Sequence, residues 1–250
     1  GSRSSSHSTL LSNLASQGYI VVGINHPYLG KVVLSDGTIT EPNDNQFENQ
    51  AAANDYYAKD VIFVINQLKE INSQKGGLFE NALSFNQIIA GGHSSGFPAV
   101  SNAAMLDKRI KGLISFDSGV PNIVRREGLD IPILLVRADT NSYTDLFFRG
   151  KNVHPKGSIY DVNFFRTHRS DFYDLKIENT THSTVYDEYI FAETNEEVLI
   201  SKRNHRLIQQ WILAFHQKIL YGNMNTILEN KKPKPNTNLR IVKALPNQKG

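Results

Sequence analysis

The chain contains no cysteine in its 250 residues. That excludes disulfides, thiolate catalysis and thiolate metal sites. It leaves the compartment open, because secreted enzymes without disulfides are common; a secreted or periplasmic place is preferred here to a cytoplasmic one. Charge of one sign is also scarce. A net charge of +3 is too small to mark a nucleic-acid surface, so no nucleic-acid partner is expected. No apolar run approaches the roughly 20 residues of a membrane helix, so no transmembrane segment is expected. No signal peptide is visible, and the opening Gly1-Ser2-Arg3-Ser4-Ser5-Ser6-His7 reads as the inside of a longer protein. There is no internal repeat. Carboxylates and histidines do not cluster at ligand spacing, so neither a metal nor an organic cofactor is implied. Oligomeric state is not fixed by any of this.

What remains is a chain that is 40% hydrophobic, enough for one large domain. Residues 19–24, 87–91, 112–116 and 131–136 are apolar runs with the length of strands, and unbroken apolar runs suit a parallel sheet covered on both faces. Residues 172–177 alternate apolar and polar, which predicts a late, half-exposed edge strand. Residues 31–40 read as a hairpin turning at Asp36-Gly37. Apolar residues at three- and four-residue steps predict helices over 8–16, 44–70 and 97–106, and the stripe Leu207, Trp211, Phe215, Ile219 predicts another. This alternation implies a three-layer α/β fold over residues 1–230. Residues 231–250 begin with Lys231-Lys232-Pro233-Lys234-Pro235-Asn236, a breaker-rich linker, and read as a tail.

The densest chemical signal is Gly92-His93-Ser94-Ser95-Gly96, between an apolar strand and a helix. A serine on so sharp a strand–turn–helix corner is held clear of its neighbours in a strained backbone. The two glycines are expected to avoid clashes where strand and helix converge. The Ser94 hydroxyl would stand at a helix N-terminus, where free N–H groups favour developing negative charge. The chemistry this suits is nucleophilic acyl transfer, with the Ser95 N–H as an oxyanion donor.

A serine nucleophile needs a base and a group to orient that base. Of eight histidines, His182 is the best placed, because it follows the last strand of the run after a short polar loop, where functional groups collect in open α/β sheets. His168 precedes that strand and is the alternative. His26 ends the first strand, where a structural or lining role is expected. His93 lies inside the motif and is expected to point elsewhere. His205 and His216 fall on the C-terminal helix. Two aspartates compete as the acid: Asp117 and Asp139 each end a strand, and position alone does not choose between them.

Several of these segments together resemble the platelet-activating-factor acetylhydrolase and related bacterial carboxylesterases. They are residues 14–26, the hairpin Val32-Val33-Leu34-Ser35-Asp36-Gly37, residues 60–68, the serine motif and residues 108–117. The resemblance runs in patches from Ser2 to about His182. It implies an α/β-hydrolase sheet, a serine esterase with a catalytic triad, and Asp117 as the acid. Cutinase-like polyester hydrolases carry the acid one strand later, near Asp139. Asp117 therefore ranks first. The implied substrate is a small-molecule ester or lipid: a short-acyl or oxidised phospholipid, or a simple carboxylic ester. A non-catalytic binding protein on the same scaffold is the rival reading.

The chain also departs from that pattern. Phe97 and Pro98 stand where small residues are usual. The strand and loop that supply a second oxyanion donor would lie upstream of Gly1, so the domain is expected to lack its first strands. Residues 141–170 hold Tyr143, Phe147, Phe148, Phe164 and Phe165 among several basic residues, and are a possible cap.

Overall fold

A computed structural model describes residues 3–139, 167–187, 194–223, 227–229 and 234–243. Residues 141–166 of the expected cap, with all its aromatic residues and His154, lie outside the described residues. Within them the elements are α1 (Ser8–Ser16), the two-residue strands β1 (Val32–Val33) and β2 (Ile39–Thr40), and α2 (Gln50–Ser73). Then follow β3 (Ile88–His93), α3 (Gly96–Leu106), β4 (Ile110–Phe116), α4 (Asn122–Glu127) and β5 (Ile133–Arg137). The last are β6 (Phe172–Ile177), a helix Asn195–Tyr221, here α5, and β7 (Thr237–Val242).

The main sheet runs β3-β4-β5-β6-β7. Its first four strands are parallel and β7 is antiparallel to β6. Alternation along each strand splits its side chains between two cores. Leu113, Ile133, Leu135 and Phe172 pack under α2, α3 and α4. Ile114, Leu134, Val136, Tyr173 and Leu175 pack under α1 and α5. Both faces are covered, and the three-layer α/β expectation is met. Each such side chain, fully buried, contributes about 1.5–3 kcal/mol.

Local chemistry sets the helix ends. α5 starts at a capping box, with Thr194 Oγ1 accepting from the Glu197 N–H and the Glu197 carboxylate accepting from the Thr194 N–H. It stops at Gly222, whose φ of 67° only glycine adopts cheaply. The second helix was expected from residue 44 but begins at Gln50. Asn43 caps a short 3-10 turn over Asp44–Gln46, the backbone extends at Phe47, and Asn49 then caps α2 through the Ala52 N–H.

Three expectations need correction. Residues 19–24 form no strand: no described strand pairs with them, and Ile20 and Val22 are largely exposed. β6 is not a half-exposed edge. Its polar Asp174 is buried in a two-bond pair with Arg137 (2.7 and 3.2 Å), and β7 covers its far side. Finally, residues 237–242, expected within a tail, are the sheet's last strand, because Leu239 and Ile241 alternate onto the α5 side.

Candidate active site

The motif serine occupies the corner between β3 and α3. Ser94 has φ of 51°, left-handed backbone that a non-glycine residue adopts at a cost of order 1–3 kcal/mol. Two bonds hold it there: its N–H donates to the Phe116 carbonyl (3.1 Å) and its carbonyl accepts from the Phe97 N–H (3.2 Å). Ser95 follows at the N-cap position of α3. Phe97 is wholly buried in the core beside α2, and Pro98 takes a first-turn position that proline tolerates.

The two motif glycines prove unequal. A Cβ on Gly92 would lie 2.3 Å from the Gly96 carbonyl carbon and 2.4 Å from the Phe97 nitrogen, whereas a Cβ on Gly96 meets nothing within 4 Å. Only Gly92 is required by the close approach of strand and helix. Gly92→Ala is accordingly expected to destabilise the protein by about 3 kcal/mol or more, and Gly96→Ala by less than about 0.5 kcal/mol. Thermal melts of the two variants measure the difference.

Asp117 ends β4 at a second left-handed residue, φ 47°. It is buried, and its backbone N–H donates to the Val136 carbonyl (2.8 Å). Carboxylate Oδ1 accepts from the Ala138 N–H at 3.2 Å, and Oδ2 lies 2.7 Å from Nδ1 of His182. His182 follows β6 in a turn fixed from several directions. Thr180 Oγ1 donates to the Ile177 carbonyl (2.5 Å), Thr184 Oγ1 accepts from the Thr181 N–H (2.7 Å), and Asn204 on α5 donates to the Asn179 carbonyl (2.8 Å). Parallel register does the rest: Phe116 pairs with Val136 and Val136 with Leu175, so the carboxyl ends of β4, β5 and β6 lie side by side.

The other candidates are elsewhere. Asp139 binds Lys176 Nζ (2.8 Å) and accepts from the Asn179 N–H (3.1 Å), contacts that lower its pKa, the lysine's hydrogen bond foremost. It braces the turn at the end of β6. His168 is buried before β6, edge-on to Phe172, at the opposite end of that strand from His182. His26 Nδ1 pairs with Asp60 at 2.9 Å, and its ring lies against Tyr57. Among the described residues no group of three or more metal-ligating side chains is assembled.

This fold has a solved relative. A ferulic acid esterase from Streptomyces cinnamoneus superposes with a TM-score of 0.67, covering 94% of this chain and 69% of that one, at 22% sequence identity. That likeness is one of fold. No protein-family model matches the sequence, and no curated protein does.

His93 turns out to be part of the site's support, which sequence reasoning missed. Its Nε2 lies 2.8 Å from the His182 backbone carbonyl, and its Nδ1 lies 3.0 Å from the Tyr186 hydroxyl. A carbonyl can only accept, so Nε2 carries the proton and Nδ1 accepts from Tyr186. That is the neutral tautomer. Burial, aided by the neighbouring His182, lowers the His93 pKa to about 4 and keeps it neutral. His7 lies tilted against the rings of His93 and Tyr186 and bonds the Val185 carbonyl. His93→Phe keeps the bulk but removes both bonds. It is expected to cost about 1–3 kcal/mol in stability and to lower kcat about tenfold with little change in KM, as steady-state kinetics on an activated ester would read.

Buried neutral histidines also set an acid limit. His93, His168 and His216 are each pushed by burial to a pKa of about 4, against 6.5 when exposed. Below 6.5 the unfolded chain takes up protons that the folded chain refuses, so stability falls with pH until about 4, where the folded form protonates too. Each histidine contributes at most roughly 1.4 kcal/mol per pH unit across that window. Melting temperature is expected to fall steeply between pH 6.5 and 4, and His216→Phe is expected to flatten the slope.

Proposed function

We propose that the protein is a serine hydrolase of carboxylic esters acting through an acyl-enzyme. The observation that carries this reading is the Asp117–His182 pair at 2.7 Å beside a serine held at left-handed φ between strand and helix. Ser94 Oγ attacks the ester carbonyl while His182 Nε2 takes the hydroxyl proton. The Ser95 N–H, at the start of α3, stabilises the oxyanion. His182 passes the proton to the departing alcohol. A water then attacks the acyl-enzyme with His182 again as base, releasing the acid and restoring Ser94. Asp117, fixed by the Ala138 N–H, orients the imidazole and balances its charge when protonated. The reaction needs no cofactor.

The substrate class is a small-molecule or lipid ester. The pairing of His182 with Asp117 supports the acetylhydrolase-type arrangement over the cutinase-like one, whose acid would fall near Asp139. It favours short-acyl or oxidised phospholipid esters as one group to assay. The fold shared with a ferulic acid esterase adds aryl-acid esters as another. The test is labelling with a fluorophosphonate, followed by a panel of p-nitrophenyl acetate, methyl ferulate and a short-acyl phosphatidylcholine. Stoichiometric label on Ser94 with turnover of one or more esters supports the proposal. A protein that neither labels nor turns over any of them is the non-catalytic scaffold instead.

A further inference from the structure

The loop that carries His182 exchanges partners with α1. His7 holds the N-cap position of that helix, where serine, threonine, asparagine and aspartate are the usual residues, and its side chain makes no capping bond. Its Nδ1 lies instead 3.0 Å from the Val185 carbonyl. The cap comes from the loop: both carboxylate oxygens of Asp187 accept from the Thr9 N–H, at 3.2 Å each, across 178 positions of sequence. A local rule broken in this way, and mended from so far along the chain, is the kind of departure that gathers where function requires it.

α5 holds the same loop. His205 is buried, and its Nε2 lies 3.0 Å from the Tyr186 carbonyl. With His93 on the His182 carbonyl, three histidines bond main-chain carbonyls of one six-residue stretch. Each contact requires the proton on a particular nitrogen, Nδ1 of His7 and Nε2 of His93 and His205, because the carbonyl has none to give. Burial lowers the pKa of His7 and of His205, outweighing the opposing pull of the carbonyls they bond and of Asp187. Each ring is therefore neutral, with its single N–H committed to the loop.

Placement gives these bonds their consequence. Ahead of His182 the loop is anchored at Asn179 and Thr180, by Asn204 of α5 and by the Asp139 N–H. Behind His182 its own backbone bonds, from Thr184 to the Thr181 carbonyl (3.1 Å) and from Tyr186 to the Ser183 carbonyl (2.9 Å), shape the turn without attaching it to the body of the protein. Attachment there comes through residues 185–187, by way of His7, His205, His93 and Asp187. His182 meets Asp117 at 2.7 Å, and misplacing such a pair by about 1 Å costs on the order of 100-fold in rate. Neither His7 nor His205 has a part in the proposed route.

We infer that His7 and His205 are positioning residues for His182, fixing the loop behind it through the Val185 and Tyr186 carbonyls. The kinetic consequence rests on the ester-hydrolase reading; the placement of the ring does not. The test uses which nitrogen donates. An asparagine amide nitrogen stands where Nδ1 of a histidine stands, and a glutamine amide nitrogen where Nε2 stands. His7→Asn and His205→Gln are therefore matched replacements, and His7→Gln and His205→Asn mismatched ones. At residue 7 the Thr9 N–H is already taken by Asp187, which leaves the matched amide to the Val185 carbonyl. On p-nitrophenyl acetate the matched variants are expected to keep kcat within about twofold, and the mismatched variants to lose about tenfold with KM little changed. The proton NMR signal of His182 Nδ1–H, bonded to Asp117, reads the same effect without turnover. Its exchange with water is expected to stay slow in the matched variants and to quicken about tenfold in the mismatched ones. Both amides serving equally well at either position overturns the proposal, as does loss of activity or of the fold in a matched variant. Slower turnover with an unchanged His182 signal overturns it too, because the ring would not have moved. A parent chain that hydrolyses no ester, with the signal still following the matched pattern, removes the ester reading and supports the positioning of His182; with the signal unchanged throughout, both fall.

Discussion

Ser94→Ala is expected to lower kcat/KM for an activated ester by about 10⁵- to 10⁶-fold and to abolish fluorophosphonate labelling. The size of the effect follows from the proposed route, in which no other group can form the acyl-enzyme. Ser95, next in sequence, begins α3 in right-handed backbone, without the left-handed corner that Ser94 occupies. The fold is expected to survive, and even to gain stability, because no buried contact is lost and a strained site loses only its hydroxyl. The combination is what makes the result informative: a melting temperature at or above that of the parent, with hydrolysis reduced to the background of water. Label found on Ser95, or hydrolysis that persists in the variant, would refute the assignment of Ser94 as nucleophile.

The second large effect is expected at Asp117. Asp117→Asn preserves the shape of the side chain and one acceptor oxygen. It removes the charge, and with it the preference for the His182 tautomer protonated on Nδ1. Turnover is expected to drop about 10⁴-fold with KM little changed. Asp139→Asn is the matched comparison. It weakens the pair with Lys176 at the turn and is expected to cost less than about tenfold in kcat, since surface ion pairs contribute at most about 1 kcal/mol. Steady-state kinetics of the two variants side by side separates the acid from the brace. Equal losses would mean that Asp117 acts only by holding the turn.

Much of this was legible in sequence where the signal is local. The serine corner needs five residues and their flanks. α1 shows its stripe within nine residues. The place of His182 beside Asp117 was legible by position, because a loop after the last parallel strand has only one edge of the sheet to reach. Other features depend on partners far along the chain. His93 and Tyr186 lie 93 residues apart, and neither carries a mark of the other. The segment 19–24 has every property of a strand except a neighbour, and hydrogen bonding to a neighbour is what makes a strand. β7 was hidden by the composition around it: the lysines and prolines of 231–235 mask the short alternation of Leu239 and Ile241. The start of α2 was misplaced because two asparagines six residues apart, Asn43 and Asn49, can both cap, and only tertiary packing selects between them.

The antiparallel strand β7 has a practical corollary for anyone preparing the protein. It pairs with β6 along its whole length, from Phe172–Val242 to Ile177–Thr237, and the Glu178 N–H donates to the Asn236 carbonyl at 2.9 Å. The proposed base sits four residues beyond that last bond. Residues near the C-terminus therefore act as a clasp on the loop that carries His182, although none of them touches a reacting atom. A purification handle spliced before residue 237, or a protease clip within 231–236, would release the clasp. Such a preparation would be a protein with its proposed nucleophile in place and its proposed base loose: able to fold, slow to react, and easily mistaken for an inactive scaffold.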